Sequence, residues 1–262
     1  MSWGQQHSYA RLQWVPWLIG LVFFAGWELA SRSGLLSPLF FPPPSLVLAT
    51  IAEGLVSGEL LSNIGATLGR LLTGFLLGAV LGLSLGILMG WSAAARQVID
   101  PLIAAIHPIP KISMFPLIMI AFAVGALSKT LVIAVAAFFP TVINTTAGVR
   151  QISPIYFEVA ANYGASPWQV FRHVILPGSA PMILAGTRLA LNLSLSITTS
   201  VELIMGRTGL GAMIWLSWQT LKIEDLFAAI TCLALIGISF RLIVNWLARR
   251  LVPWHDASAN RS

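Results

Sequence analysis

Residues 68–89 read LGRLLTGFLLGAVLGLSLGILM, a run long and apolar enough to cross the hydrocarbon core of a bilayer as one helix. Gly74, Gly78, Gly82, Gly86 and Gly90 recur through it and just beyond, each four residues after the last. At about 100° per residue that spacing holds them on one slowly drifting stripe. Without Cβ atoms, such a stripe lets a second backbone approach closely along most of the helix. The partner is either a helix of the same subunit or a moving or dimeric surface. In both cases this helix is buried in protein rather than in lipid.

The rest of the chain has the same character. Of its 262 residues 57% are hydrophobic and 9% charged, and Trp is used 10 times. Soluble domains carry about 25% charged residues. The composition argues against a soluble enzyme, a disordered chain and a nucleic-acid-binding domain, despite a net charge of +6. In so apolar a chain the excess base reads as loop charge that sets orientation at an anionic membrane face. The single cysteine, Cys232, excludes an internal disulfide, and no Cys/His cluster points to a metal site.

Apolar runs place six spans in one membrane domain, near residues 14–30, 68–89, 99–124, 130–149, 181–204 and 226–247. The first is long for a signal-peptide core, and Trp27 and Glu28 stand where small residues would precede cleavage, so it reads as an uncleaved anchor. An even number of spans puts both termini on one side. With the termini inside, Arg11, Arg96, Arg150, Arg172, Arg249, Arg250 and Arg261 face the cytoplasm. Arg32, Lys129, Arg207 and Lys222 face out, diluted by Glu53, Glu59, Glu224 and Asp225. The bias favours cytoplasmic termini. Two connections exceed plain turns. The outer one, 31–63, holds Phe41-Pro42-Pro43-Pro44-Ser45, with Ser45 as a candidate cap for a short interfacial helix over 46–56. The cytoplasmic one is 150–178.

Polar groups inside the spans mark candidate function. The third span is broken by Pro101, Pro108, Pro110 and Pro116, and irregular backbone at membrane depth needs protein or a water-filled cavity around it. Lys111 and His107 lie beside that break. Lys111 either faces a pathway or snorkels to an interface, and His107 reads as a hydrogen-bonded packing residue. In the fifth span, with Arg188 at zero on a helical wheel, Asn192 falls at about 40°, Ser196 at 80°, Thr199 at 20° and Glu202 at −40°. That arc either lines a substrate path or is satisfied by hydrogen bonds between helices.

No Gly-Lys dipeptide is present, so no phosphate-cradling loop for ATP exists in the chain. His-Glu-x-x-His and a carboxylate pair set for acid–base work are equally missing, and nothing argues for an enzyme or a bound cofactor. The cytoplasmic connection is more informative. Residues 154–163 suit a short amphipathic helix, Gly164 its stop, and Ser166-Pro167 the start of a second helix that Pro177 ends. Two short helices about a glycine corner form a knuckle, and Tyr163, Trp168 and Phe171 offer apolar surface to seat it against a partner.

Within that knuckle the sequence resembles the permease subunits of bacterial ATP-binding cassette (ABC) importers. Their pattern is Glu-Ala-Ala, three residues, Gly, nine residues, Ile, one residue, Leu-Pro. Glu158, Ala160, Gly164, Leu176 and Pro177 occupy matching positions, while Val159 and Val174 replace Ala and Ile. Further stretches resemble the nitrate/sulfonate/taurine branch. They are Phe41–Ser45, Thr67-Leu68-Gly69-Arg70 with Gly74, Pro108-Ile109-Pro110-Lys111 with Pro116-Leu117, Gly186-Thr187-Arg188, Glu202-Leu203, Gly209-Leu210-Gly211 and the ending Arg249–His255. Thr187 departs from the Leu usual before that arginine.

The resemblance implies an all-α membrane protein with the type I ABC importer permease fold and a coupling helix. It implies a homodimer, or a pair with a close relative, forming one path. Two cytoplasmic ATPase subunits would bind ATP and Mg²⁺ and receive the knuckle, through Glu158, Ala160, Ala161, Gly164, Trp168, Phe171, Arg172, Leu176 and Pro177. An external solute-binding protein would deliver a small solute such as an alkanesulfonate, taurine or nitrate, and the arc with Lys111 would meet it. The competing reading is a stand-alone secondary transporter or channel coupled through Glu202, Arg188 and Lys111, for which the knuckle would lack a purpose.

Overall fold

A computed structural model describes residues 14–253, all of whose regular elements are helical. Arg11 and Arg261, counted in the orientation above, and Trp254 to Ser262 lie outside the described residues. Four helices are long and apolar enough to cross a membrane, or up to five if one bent pair counts as a span. They are α3 (Glu59–Trp91), α6 (Ala126–Arg150), α9 (Leu176–Met205) with the segment leading into it, and α11 (Ile223–Leu251). The first expected span is also a helix, α1 (Val15–Arg32), which is not among these four and carries Glu28 and Arg32 in its C-terminal part.

Those two charges have a structural use. Arg32 and Glu28 pair at 2.5 Å, and Glu28 reaches the start of α2 (Pro44–Ser57). Its carboxylate accepts from the backbone N–H of Ser45 at 3.0 Å and from the Ser45 hydroxyl at 2.7 Å. A carboxylate at a helix N-terminus satisfies an orphan donor and meets the positive end of the dipole. Ser45 is thus not the cap expected for this helix: it lies inside α2, and the capping group comes from α1. Gly58, at φ +81°, then turns the chain directly into α3, which begins well before residue 68.

The glycine stripe packs within the subunit. Gly74, Gly78, Gly82 and Gly86 are buried, and a Cβ on any of them would collide with α6. At Gly74 it would stand 2.6 Å from the Ile133 side chain, at Gly82 2.7 Å from the Phe138 carbonyl, and at Gly86 2.6 Å from Thr145 Cβ. Helices in lipid gain little from the hydrophobic effect between them and rely on such close contact. α6 is accordingly the most enclosed span. It carries an internal Pro140 and buries Val132, Ile133, Ala137 and Val142.

The expected third span is broken into α4 (Ala93–Ile106), a 3₁₀ turn (Lys111–Met114) and α5 (Phe115–Phe122), with a 93° bend. Pro101 sits inside α4 and Pro116 in the first turn of α5, where its missing N–H costs nothing. The break therefore belongs to Pro108 and Pro110 alone. Two short helices, α7 (Pro154–Asn162) and α8 (Pro167–Val170), form the knuckle. A further helix, α10 (Leu210–Thr220), fills what the sequence left as an outer loop, and packs beside α11.

Candidate functional site: knuckle, cleft and buried carboxylate

The knuckle stands clear of the rest of the subunit. α7 has no buried residue, and Glu158, Ala161, Arg172 and Leu176 are exposed. Tyr163 is 87% and Trp168 65% exposed, values a lone aromatic on water does not favour. Ala160 and Phe171 are half-buried, and the Trp168 and Phe171 rings stack at 5.4 Å. The corner is Gly164 at φ +67°, a left-handed conformation that L residues resist. A capping box then starts α8: Ser166 Oγ accepts from Gln169 N, and Gln169 Oε1 accepts from Ser166 N at 2.7 Å.

Pro177 does not end the second helix as the sequence reading expected. α8 passes through a π-helical turn (Phe171–Ile175) straight into α9, with Pro177 in the first turn of α9. The wide turn is where the ladder loosens, so the donor Pro177 lacks and the room its ring needs are met without stopping the helix. The knuckle is thereby mounted on the end of a membrane-crossing helix.

Arg188 and Asn192 of α9 line a cleft of about 660 Å³, whose other wall is α11. Arg241 and Asn245, four residues apart on α11, face them across it, with Leu191, Ile238 and Val244 as apolar lining. Neither Arg241 nor Asn245 was singled out from the sequence. The signal was there, an ionisable residue and an amide one turn apart inside the last apolar span. Ser196 is exposed on the same helix, and Thr199 is half-buried with its hydroxyl bonded to the Leu195 carbonyl at 2.9 Å.

Glu202 is separated from that cleft. It is fully buried and its carboxylate is saturated with donors. Arg70 Nη1 donates at 2.5 Å, Thr67 Oγ1 at 2.9 Å and the Gly211 backbone N–H at 3.0 Å. Thr67 Oγ1 in turn accepts from Leu210 N at 2.8 Å, Asn63 Oδ1 accepts from Gly209 N at 2.8 Å, and Arg70 also donates to the Thr208 carbonyl at 2.8 Å. Gly209 is required twice over: φ is +109°, and a Cβ there would run into the Glu202 carboxylate. The network binds the start of α3, the end of α9 and the Gly206–Leu210 corner into one block. Charges removed from lipid and water need this completeness of pairing.

Lys111 is likewise occupied locally. Its ammonium donates to the carbonyls of His107 at 2.5 Å and Ile109 at 2.8 Å, and lies 4.4 Å from the Phe139 ring centroid. It closes the carbonyls that the proline break frees at the end of α4, where the helix dipole favours a cation. His107 packs its ring on Phe139 at 5.4 Å. Among the described residues no group of His, Cys, Asp and Glu is set to hold a metal.

An exposed knuckle carried by a membrane helix, a glycine-packed helix pair and a basic cleft between spans describe a transporter's membrane subunit. Residues 74–255 match the family described as binding-protein-dependent transport system inner membrane component, and the chain belongs to it. It is an ABC transport permease. It is similar to the taurine transport system permease protein TauC of Escherichia coli K12, 36% identical over 89% of this chain and 87% of that protein. It is similar also to the putative aliphatic sulfonates transport permease protein SsuC of Bacillus subtilis 168, 34% identical over 92% of this chain and 89% of that one. Among solved structures, the inward-facing MetNI methionine ABC transporter matches with a TM-score of 0.63 at 18% identity, covering 74% of this chain and 96% of that one. That likeness is one of fold: the type I importer permease.

Proposed function

We propose that this chain forms the translocation path of an ATP-driven importer for a small anion of the sulfonate or nitrate kind. Two copies would enclose one path, two ATPase subunits would dock on the knuckles from the cytoplasm, and an external binding protein would deliver the solute. The carrying observation is the knuckle: apolar rings exposed at a left-handed glycine corner, on a helix that runs unbroken into the Arg188 cleft. Force applied at Trp168 and Phe171 would travel along α9 as along a lever, with Glu158, Ala160, Ala161, Gly164, Arg172, Leu176 and Pro177 shaping the docked surface. Arg188, Asn192, Ser196 and Thr199 would line the path, while Glu202 and Lys111 brace it. Relatives named for aliphatic sulfonates and nitrate support an anion as cargo, and one named for taurine supports a sulfonate-bearing solute. ATP and Mg²⁺ would sit on the ATPase subunits, and this chain would catalyse no reaction itself. Both termini would face the cytoplasm of the inner membrane.

The test is reconstitution of the chain with its ATPase subunits and binding protein in liposomes. ATP-dependent accumulation of an alkanesulfonate, taurine or nitrate is expected, and native mass spectrometry should find two permeases with two ATPases. Uptake without nucleotide, by the chain alone, would replace this reading with a secondary transporter.

A further inference from the structure

We infer that the knuckle is mounted on a compliant joint, so that it rocks against the α6–α9 pair while it stays seated on an ATPase subunit. The inference rests on the reading of the knuckle as the docking element. Two connections attach the knuckle to the membrane helices, and neither is regular α-helix. The first is the link 151–153 between the end of α6 and the start of α7. The second is the π-helical turn Phe171–Ile175 between α8 and α9. Just beyond that turn, Pro177 and Pro181 supply no N–H to the carbonyls one turn back, so the base of α9 lacks two backbone donors. Prolines and π-turns are the places where helices bend sharply.

Between the two connections lies a cleft of about 470 Å³. Ile152, Ser153 and Tyr156 line it from the α7 side, and His173, Val174 and Gly178 from the α9 side. Packed interiors leave few voids larger than a water molecule, so a space of this size lets its two walls approach. Immediately beyond it the packing is tight. Ile175 and Ser179 are fully buried, and a Cβ on Gly148 of α6 would lie 2.7 Å from Met182 Cβ of α9. At Gly186 a Cβ would stand 2.8 Å from Asn144 Cβ. From Ser179 onward α9 is therefore held against α6, and the freedom is confined to the knuckle's side. A mount of this kind passes displacement and releases rotation. On a docked subunit that changes its orientation, a rigid knuckle would have to twist α9 within its packing or leave its seat. A rocking knuckle does neither, and the pull still reaches α9.

The experiment measures the distance between spin labels at Asn162→Cys on α7 and Arg150→Cys on α6, in a Cys232→Ser background. The permease–ATPase complex is assembled with excess unlabelled permease, so that label pairs within one subunit dominate. The distance should shift when ATP and vanadate trap the complex. Ser153→Trp, which fills the cleft, should abolish both that shift and solute uptake, with ATPase subunits still co-purifying. Ser153→Ala should match the wild type, because the Ser153 side chain makes no capping bond to α7. If Ser153→Trp does not fold, Pro181→Ala, which restores one donor without bulk, should shrink the shift. An unchanged distance in a wild-type complex that holds its ATPase subunits would overturn the joint. So would a Ser153→Trp variant that shifts and transports like the wild type. Loss of ATPase subunits from Ser153→Trp alone would make the cleft part of the docked surface and overturn the joint as well. A wild type that holds no ATPase subunits would instead overturn the importer reading.

Discussion

Helix α9 carries two charged groups on one polar arc, and their circumstances are opposite. Glu202, near its C-terminal end, is fully buried with an arginine, a threonine hydroxyl and a backbone N–H on its carboxylate. Arg188 is exposed to a cleft it shares with a second arginine, and among the described residues no carboxylate pairs with it. A charge inside a membrane protein is either neutralised by the fold or kept for something the fold lacks. The first arrangement holds helices together, and the second is the one the proposed translocation path would use. The difference separates architecture from function on a single helix, and it can be broken by substitution.

The largest effect is expected at the satisfied end. Glu202→Leu strands Arg70 and removes the acceptor of the Gly211 N–H, and breaking such a buried pair costs about 3–5 kcal/mol. Thermal unfolding in detergent should fall accordingly, and Glu202→Gln should cost less because an acceptor oxygen remains. A wild-type melting curve for Glu202→Leu would mean that the block at the end of α9 carries no stability.

Next in size is the glycine stripe, with a control on the same helix. At Gly78 a Cβ would collide with the Ala134 carbonyl and lie 2.9 Å from Ala137 Cβ, whereas at Gly69 it would meet nothing within 4 Å. Gly78→Ala should destabilise by about 1–3 kcal/mol, the usual cost of overpacking. Gly69→Ala should be neutral or stabilising by up to ~1 kcal/mol through helix propensity. Equal melting temperatures for the two would detach the stripe from the α3–α6 contact.

At the knuckle the effect should be smaller and local. Gly164 has open space around it, so Gly164→Ala costs only the left-handed backbone, about 1–2 kcal/mol. The corner should then open without melting the membrane helices. A pull-down would register weaker ATPase co-purification at an unchanged global unfolding temperature, and unweakened co-purification would argue against docking at this corner.

These contrasts also mark what the sequence made legible. Long apolar runs and the glycine period announced α3, α6, α9 and α11, because lipid demands length and hydrophobicity that few other contexts do. The stripe's partner was not legible, since a neighbouring helix and a second subunit ask the same small residues of it. Pro177 was misread as a stop because a proline's missing donor looks the same before a helix end and after a π-helical turn. Glu202 joined Arg188 in one arc because a wheel reports angle and ignores what neighbours supply. Thr67 and Arg70 stood in a recognised stretch, yet that they would meet Glu202 across 135 and 132 positions depends on how α3 and α9 cross. Helix α10 escaped notice because it is short and lies between a glycine corner and Leu221, which adopts a left-handed conformation at φ +57°.

The smallest change in stability and the sharpest in function are expected together, at Arg188. With no ion pair to lose, Arg188→Leu removes an uncompensated charge from an apolar helix, and the fold should shift by no more than about 0.5 kcal/mol, or gain. Its co-purification with ATPase subunits should match the wild type, because the knuckle is untouched. On the proposed function uptake should nevertheless collapse, since the path would lose the cation that meets the solute. A variant that melts like the wild type and transports like it would show that Arg188, for all its lack of a partner, is as architectural as Glu202. A variant that melts early would show that a counter-charge for Arg188 is supplied by another subunit. Only stability kept with transport lost preserves the distinction between the two ends of α9.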